Sequence, residues 1–137
     1  MGELAIAAGI VVAVLVVAFI LRRAQSDAPM QMRKYSAPDQ LDRADFEMPD
    51  AKWLLVVFSS ETCRVCKGVL GAVAPLASDE ICVQEVEFVR DSGLHERYGI
   101  DAVPTLVLAD ETGLVRYSAL GPQKAAELWI AVSDVVS

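Results

Sequence analysis

Residues 4–21 form an unbroken run of 18 apolar or small side chains with no charge. As a helix rising about 1.5 Å per residue the run covers about 27 Å, close to the roughly 30 Å of a bilayer's hydrocarbon core. It predicts a single-pass membrane anchor over residues 1–23. A cleavable leader carries its positive charge ahead of a shorter apolar run and ends on small residues. Here Glu3 precedes the run, Arg22 and Arg23 follow it, and Arg33 and Lys34 come soon after. Basic residues near a span stay on the cytoplasmic side. The chain is therefore expected at the cell membrane with its C-terminal part in the cytoplasm, the extracytoplasmic orientation being the alternative.

Residues 24–51 are polar, carry Pro29, Pro38 and Pro49, and hold no sustained apolar period. They read as a tether, with Ser36 placed to cap a short turn through Pro38, Asp39 and Leu41. Leu41 and Phe46 are as easily read, alternatively, as residues that lie against the edge of the domain that follows.

Residues 52–137 form that domain. Residues 53–59 are continuously apolar up to Ser59, as in a central strand covered on both faces. Apolar residues then recur at helical spacing over 64–77, through Val65, Val69, Leu70, Val73 and Leu76, with a bend expected at Pro75. A second strand over 81–89 reached through a helix should run parallel to the first. A short helix through Leu94 and Tyr98 ends at Gly99, and a third strand is expected over 100–108 with Pro104 at its start. The turn Asp110-Glu111-Thr112-Gly113 predicts an antiparallel return over 114–118. After Gly121-Pro122 a last helix would carry Ala126, Leu128, Trp129, Val132 and Val136 near one face.

Composition narrows the function. Hydrophobic residues make up 54% of the 137, but the first segment holds a block of them, so the remainder supports one domain. The chain has 12 basic and 19 acidic residues; without Glu3, Arg22 and Arg23 there are 10 and 18. An acidic domain with no basic stripe excludes a phosphate-binding surface, and no nucleic-acid partner is expected. Three cysteines are too few for a disulfide scaffold. Cys63 and Cys66 stand three apart where strand pattern gives way to helix, the setting of a redox pair. A zinc site wants four ligands, and only Cys82 and His95, in separate elements, remain to complete one. No metal or other cofactor is expected. Cys82 reads as a small buried hydrophobe, His95 as a solvated helix residue, and Trp53 and Trp129 as core or rim aromatics.

This order of elements, with Cys63-x-x-Cys66 after the first strand, Tyr98-Gly99-Ile100-Asp101-Ala102-Val103-Pro104-Thr105 before the hairpin and Gly121 before the last helix, resembles the thioredoxin superfamily. The resemblance covers residues 53–137 and implies an α/β, thioredoxin-like three-layer fold around a central mixed sheet. The segment Ser60-Glu61-Thr62-Cys63-Arg64-Val65-Cys66-Lys67 looks more like the membrane-anchored branch associated with cytochrome maturation and methylamine utilisation than like soluble thioredoxin. By resemblance Pro104 is a cis proline facing the disulfide, the backbone of Val103 pairs with an extended substrate segment, and Thr62 borders the same groove.

The attacking species is a thiolate, and an ordinary cysteine, with pKa about 8.5, is mostly protonated at neutral pH. At a helix N-terminus Cys63 would meet unpaired amides and the positive end of the dipole, with Arg64 beside it and Lys67 one turn on. Cys63 is thus expected as nucleophile and Cys66, more covered, as resolving thiol. The chain departs from thioredoxin at Thr62, where a tryptophan is usual, at Arg64-Val65 in place of Gly-Pro, and at Val57, where a buried aspartate is common. A stabilised Cys63 thiolate implies a more oxidising couple than thioredoxin's value of about −270 mV. The expected function is a membrane-tethered thiol-disulfide oxidoreductase acting on protein thiols and disulfides with an unidentified electron donor or acceptor. Two other readings stay open: a weakly catalytic binding or assembly module on the same fold, and a carrier of a soft metal.

Overall fold

The structure is a computed structural model that describes residues 1–26 and 36–137. The described residues fall into two units, an N-terminal helix and the domain that ends at Ser137. The helix, α1, spans Gly2–Ser26. Its side chains are described without a break from 9 to 20, and all of these are exposed. Among the described residues no helix is long and apolar enough to cross a membrane. The expected span therefore rests on the sequence run, and part of the expected tether, including Pro29, Arg33 and Lys34, lies outside the described residues.

In the domain the order is β1 (Trp53–Ser59), α2 (Arg64–Val73), β2 (Ile81–Glu87), α3 (Ser92–Arg97), β3 (Thr105–Ala109), β4 (Val115–Leu120) and α4 (Ala125–Val136). The four strands form one mixed sheet in the order β2-β1-β3-β4. β1 is parallel to β2 and antiparallel to β3, and β4 returns antiparallel to β3. The continuous apolar run of β1 is explained by this central position, where Leu54 to Phe58 are fully buried.

Alternate residues of β1 feed two cores. Leu54, Val56 and Phe58 pack with Leu41, Phe46, Cys82, Val86, Ile100 and Val107. Leu55 and Val57 pack with Val69, Val73, Leu106, Leu108, Leu128 and Val132, which places α2 and α4 over that face.

Several expected boundaries move. α2 stops at Val73 and the chain tightens into a 3-10 turn at Ala74–Leu76, because Pro75 supplies no amide for the continuing ladder. β2 stops at Glu87 rather than residue 89, and β3 starts at Thr105, since residues 100–104 serve as the loop that carries Pro104. On α4 Leu128 and Val132 are buried, whereas Trp129 is half exposed and donates its indole N–H to Ala72 O on α2 at 2.6 Å.

The end of the expected tether is part of the domain. Leu41, Phe46 and Ala51 are core residues, and Gln40 bridges to Leu114. Leu41 N–H donates to Gly113 O and Val115 N–H to Asp39 O. Arg43, 8% exposed, donates to the carbonyls of Asp110, Met48 and Ala51 at 2.9, 3.1 and 2.8 Å. Its aliphatic stem and forked head let one charged residue fill an apolar gap and satisfy three carbonyls that composition alone reads as solvated. Tyr98 ties the same segment from α3's end, accepting from Asp42 N–H and donating to Asp45.

Candidate redox site

β1 delivers the chain to a turn in which Cys63 N–H donates to Ser60 O at 3.0 Å and the hydroxyls of Ser60 and Thr62 meet at 3.1 Å. Cys63 is the N-cap of α2. Its Sγ accepts the Cys66 N–H at 3.2 Å, satisfying an amide that the helix geometry leaves without a partner. Cys63 and Cys66 form a disulfide with S–S 2.09 Å and Cα–Cα 5.4 Å. Cys63 is partly exposed, whereas Cys66 is 1% exposed, so an incoming group meets Cys63 first. Once the bond is reduced, the same N–H and the dipole of α2 favour an anion on Cys63. Arg64 and Lys67 are exposed on the first turn, with Val65 half exposed between them.

The loop before Cys63 is held from beneath by Glu87, a residue that sequence reading did not single out. Its carboxylate, on a residue 5% exposed, accepts the N–H groups of Glu61, Val89 and Arg90 at 3.2, 2.9 and 2.8 Å. The Arg90 N–H holds this carboxyl below the usual range; burial opposes it, and the Glu61 and Val89 amides add to the lowering. Phe88 N–H donates to Ser59 O in the same turn. A glutamate ending an apolar strand was the available signal, but one of its three backbone partners, Glu61, lies 26 residues back.

Val57 is fully buried in the core under α2 and α4. Its register partner on β2 is Glu85, whose Oε1 accepts from Ser59 Oγ at 2.5 Å. A carboxylate thus stands one strand over from the place where the resemblance leads one to seek it.

The Val103–Pro104 peptide is cis. Pro104 immediately precedes β3, whose Thr105 pairs with Phe58 of β1, so Pro104 and the cysteines share one end of the sheet. Thr105 Oγ1 donates to Ala102 O at 2.7 Å and Gly121 N–H to Pro104 O at 2.9 Å, fixing the loop on both sides. Gly121 has φ 81°, which explains a glycine after β4. Among the described residues Val103 makes no backbone hydrogen bond.

His95, expected on the surface, is 2% exposed. Its Nε2 lies 2.9 Å from Val86 O, and Phe58 and Phe88 pack edge-on against its ring, both at 5.3 Å between centroids. The short α3 turns this residue inward against β2. Cys82 is buried away from the pair, its Sγ donating to Glu47 O at 3.4 Å. Burial pushes its thiol up, the Glu47 carboxylate adds to the rise, and Arg43 partly offsets it. Among the described residues no group of three or more His, Cys, Asp or Glu side chains is placed to hold a metal ion.

Comparison with solved structures identifies the architecture. The chain superposes on a mutant thioredoxin from Halobacterium salinarum NRC-1 with TM-score 0.60 and 24% identity, over 74% of this chain and 96% of that one. It also superposes on a structure described as a malarial protein, with TM-score 0.56 and 11% identity, over 63% of this chain and 99% of the other. No family model and no curated protein matches the sequence. The domain has the thioredoxin fold, with a cysteine pair at the head of α2.

Proposed function

From a thioredoxin fold whose Cys63–Cys66 disulfide stands at the head of a helix, at the same end of the sheet as a cis proline, we propose that the protein is a thiol-disulfide oxidoreductase acting on protein partners. The observation that carries this reading is the asymmetry of the pair, one sulfur partly exposed and receiving a helix amide, the other buried behind it. In the reduced protein the Cys63 thiolate attacks one sulfur of a partner disulfide, and the other partner sulfur leaves as a thiolate that takes up a proton. Cys66 then loses its proton and attacks Cys63 Sγ in the mixed disulfide, releasing the partner's second thiol and restoring the internal disulfide. An extended partner segment would lie along Val103 beside Pro104 and Thr62, with Arg64 and Lys67 favouring the Cys63 anion.

Dithiol-driven insulin reduction tests the reading. The expected result is catalysis that Cys63→Ser abolishes. Activity unchanged by that substitution would remove it and leave a binding or assembly module.

The apolar run of residues 4–21 supports single-pass anchoring in the cell membrane, and the following arginines support a cytoplasmic domain. Carbonate extraction of membranes tests the anchor. Labelling of Cys63 on intact cells by a membrane-impermeant thiol reagent tests the side, rapid labelling meaning an extracytoplasmic domain.

A further inference from the structure

Beside the loop that ends in Pro104 lies a cavity of about 230 Å³. Phe88, Ile100, Ala102 and Val103 form its apolar lining, and Ser60 joins it from the turn before Cys63. Two further residues give it polarity. Asp101 is exposed and stands at the mouth, while His95, a lining residue, is otherwise buried.

The contact with Val86 O decides which ring nitrogen of His95 donates. Val86 O can only accept, so Nε2 carries the proton, and in the neutral ring Nδ1 is left as an acceptor. Nδ1 is buried and has no hydrogen-bond partner. The exposed Asp101 carboxylate gives the rim of the cavity a negative charge. Of the basic residues on the surrounding elements, Arg90 pairs with Asp91 and Arg97 with Asp42 and Asp45, while Arg64 and Lys67 stand exposed on the first turn of α2. Phe88 is 52% exposed and offers aromatic surface at the cavity.

Resting on the oxidoreductase reading, we propose that this cavity is a specificity subsite for a lysine or arginine side chain of the protein partner, close in sequence to the cysteine that Cys63 attacks. The aliphatic stem of such a residue lies against Phe88, Ile100 and Val103, and its head meets the Asp101 carboxylate at the rim. Val103 joins the two functions: its open backbone groups hold the extended partner while its side chain lines the cavity. Neighbouring residues of an extended segment point to opposite faces, so one partner side chain enters the cavity while the next does not.

The test uses the full chain in neutral detergent, reduced and freed of reductant. Short peptides carry one cysteine as a 2-thiopyridyl disulfide, flanked by lysine, norleucine or glutamate. The Cys63 thiolate attacks the peptide sulfur, forming the Cys63–peptide disulfide and releasing pyridine-2-thiolate, which takes up a proton to give 2-thiopyridone and is followed by absorbance. The lysine peptide is expected to react about fivefold faster than the norleucine peptide, as a partly shielded charge pair allows, with the glutamate peptide slowest. Asp101→Asn should bring the lysine and norleucine rates together. Glu111→Gln, at the hairpin on the other end of the sheet, should keep the preference and so separates a local subsite from general attraction to an acidic domain. Equal lysine and norleucine rates in the wild type, or a preference untouched by Asp101→Asn, would overturn the subsite. Failure of every peptide to react would instead count against the oxidoreductase reading. The subsite is then read from anisotropy of labelled, thiol-free lysine and norleucine peptides on the oxidised protein, where equal affinity overturns it.

Discussion

Val57 and Glu85 are register partners on β1 and β2, and the fully buried valine leaves Glu85 to bond with Ser59 Oγ. Restoring an acid at residue 57 would set two carboxylates side by side under α2. Val57→Asp should therefore cost about 3 kcal/mol in urea denaturation, from lost packing and an unpaired buried charge. Val57→Asp with Glu85→Lys exchanges repulsion for attraction and should recover about 1 kcal/mol or more. A double variant no more stable than the single one would show that the two side chains do not meet.

The order of attack is visible by trapping. Cys66→Ser should accumulate a mixed disulfide with a protein substrate, since the resolving thiol is gone, whereas Cys63→Ser should not, because Cys66 is 1% exposed. Non-reducing electrophoresis distinguishes them; trapping by Cys63→Ser alone would reverse the assignment, and equal trapping by both would remove it.

Asp110 gives the domain an acid-sensitive joint. Burial pushes its carboxyl up, but donors from Thr112, Arg116 and the Leu114 amide outweigh it and bring it to about 2. Because the folded value lies below the ordinary 3.8, the stabilisation is present above about pH 4 and is lost as the pH falls through about 2. Wild type should exceed Asp110→Asn by about 1 kcal/mol at pH 6, allowing for solvent screening, with the gap closing toward pH 2. Denaturation curves across that range check it; a gap constant with pH would mean that the variant acts through something other than charge.

Arg43 should matter more than any surface ion pair. Arg43→Met keeps the stem but strands the carbonyls of Asp110, Met48 and Ala51, and should cost about 2–4 kcal/mol. Arg97→Met, which removes exposed contacts to Asp42 and Asp45, should cost less than about 1 kcal/mol. Comparable losses would refute this ranking.

Glu87 should govern the order of the loop before Cys63 rather than global stability alone. With Glu87→Gln one oxygen becomes an amide nitrogen, which cannot accept, so faster hydrogen exchange is expected among the Glu61, Val89 and Arg90 amides. Unchanged exchange at all three would remove this role.

What can be seen in the sequence tracks how local the cause is. β1 is readable to the residue because burial on both faces makes its apolar run continuous, and the α2 start is marked by the change of period after Cys63. The reversed β3–β4 hairpin follows from its turn residues. Glu87, His95 and Arg43 are not readable. Each is polar by composition and acquires its place from backbone groups that folding brings near: the Glu61 amide for Glu87, the carbonyl of Val86 for His95, and the carbonyls of Asp110, Met48 and Ala51 for Arg43. The segment holding Leu41 and Phe46 is underread for a related reason. Two isolated apolar residues make no period, yet each fills one side of a core whose other side is β1.

Residues 39–41 clasp Gly113, where φ is 80° and a Cβ would come within 2.0 Å of Leu41 O. That clasp lies at the end of β1 away from Cys63, a strand of seven residues or about 23 Å distant. For anyone building a sensor or immobilised reagent from this domain, the entering chain is thus the natural handle: a support attached ahead of residue 36 joins the scaffold at the end of the sheet remote from the sulfurs.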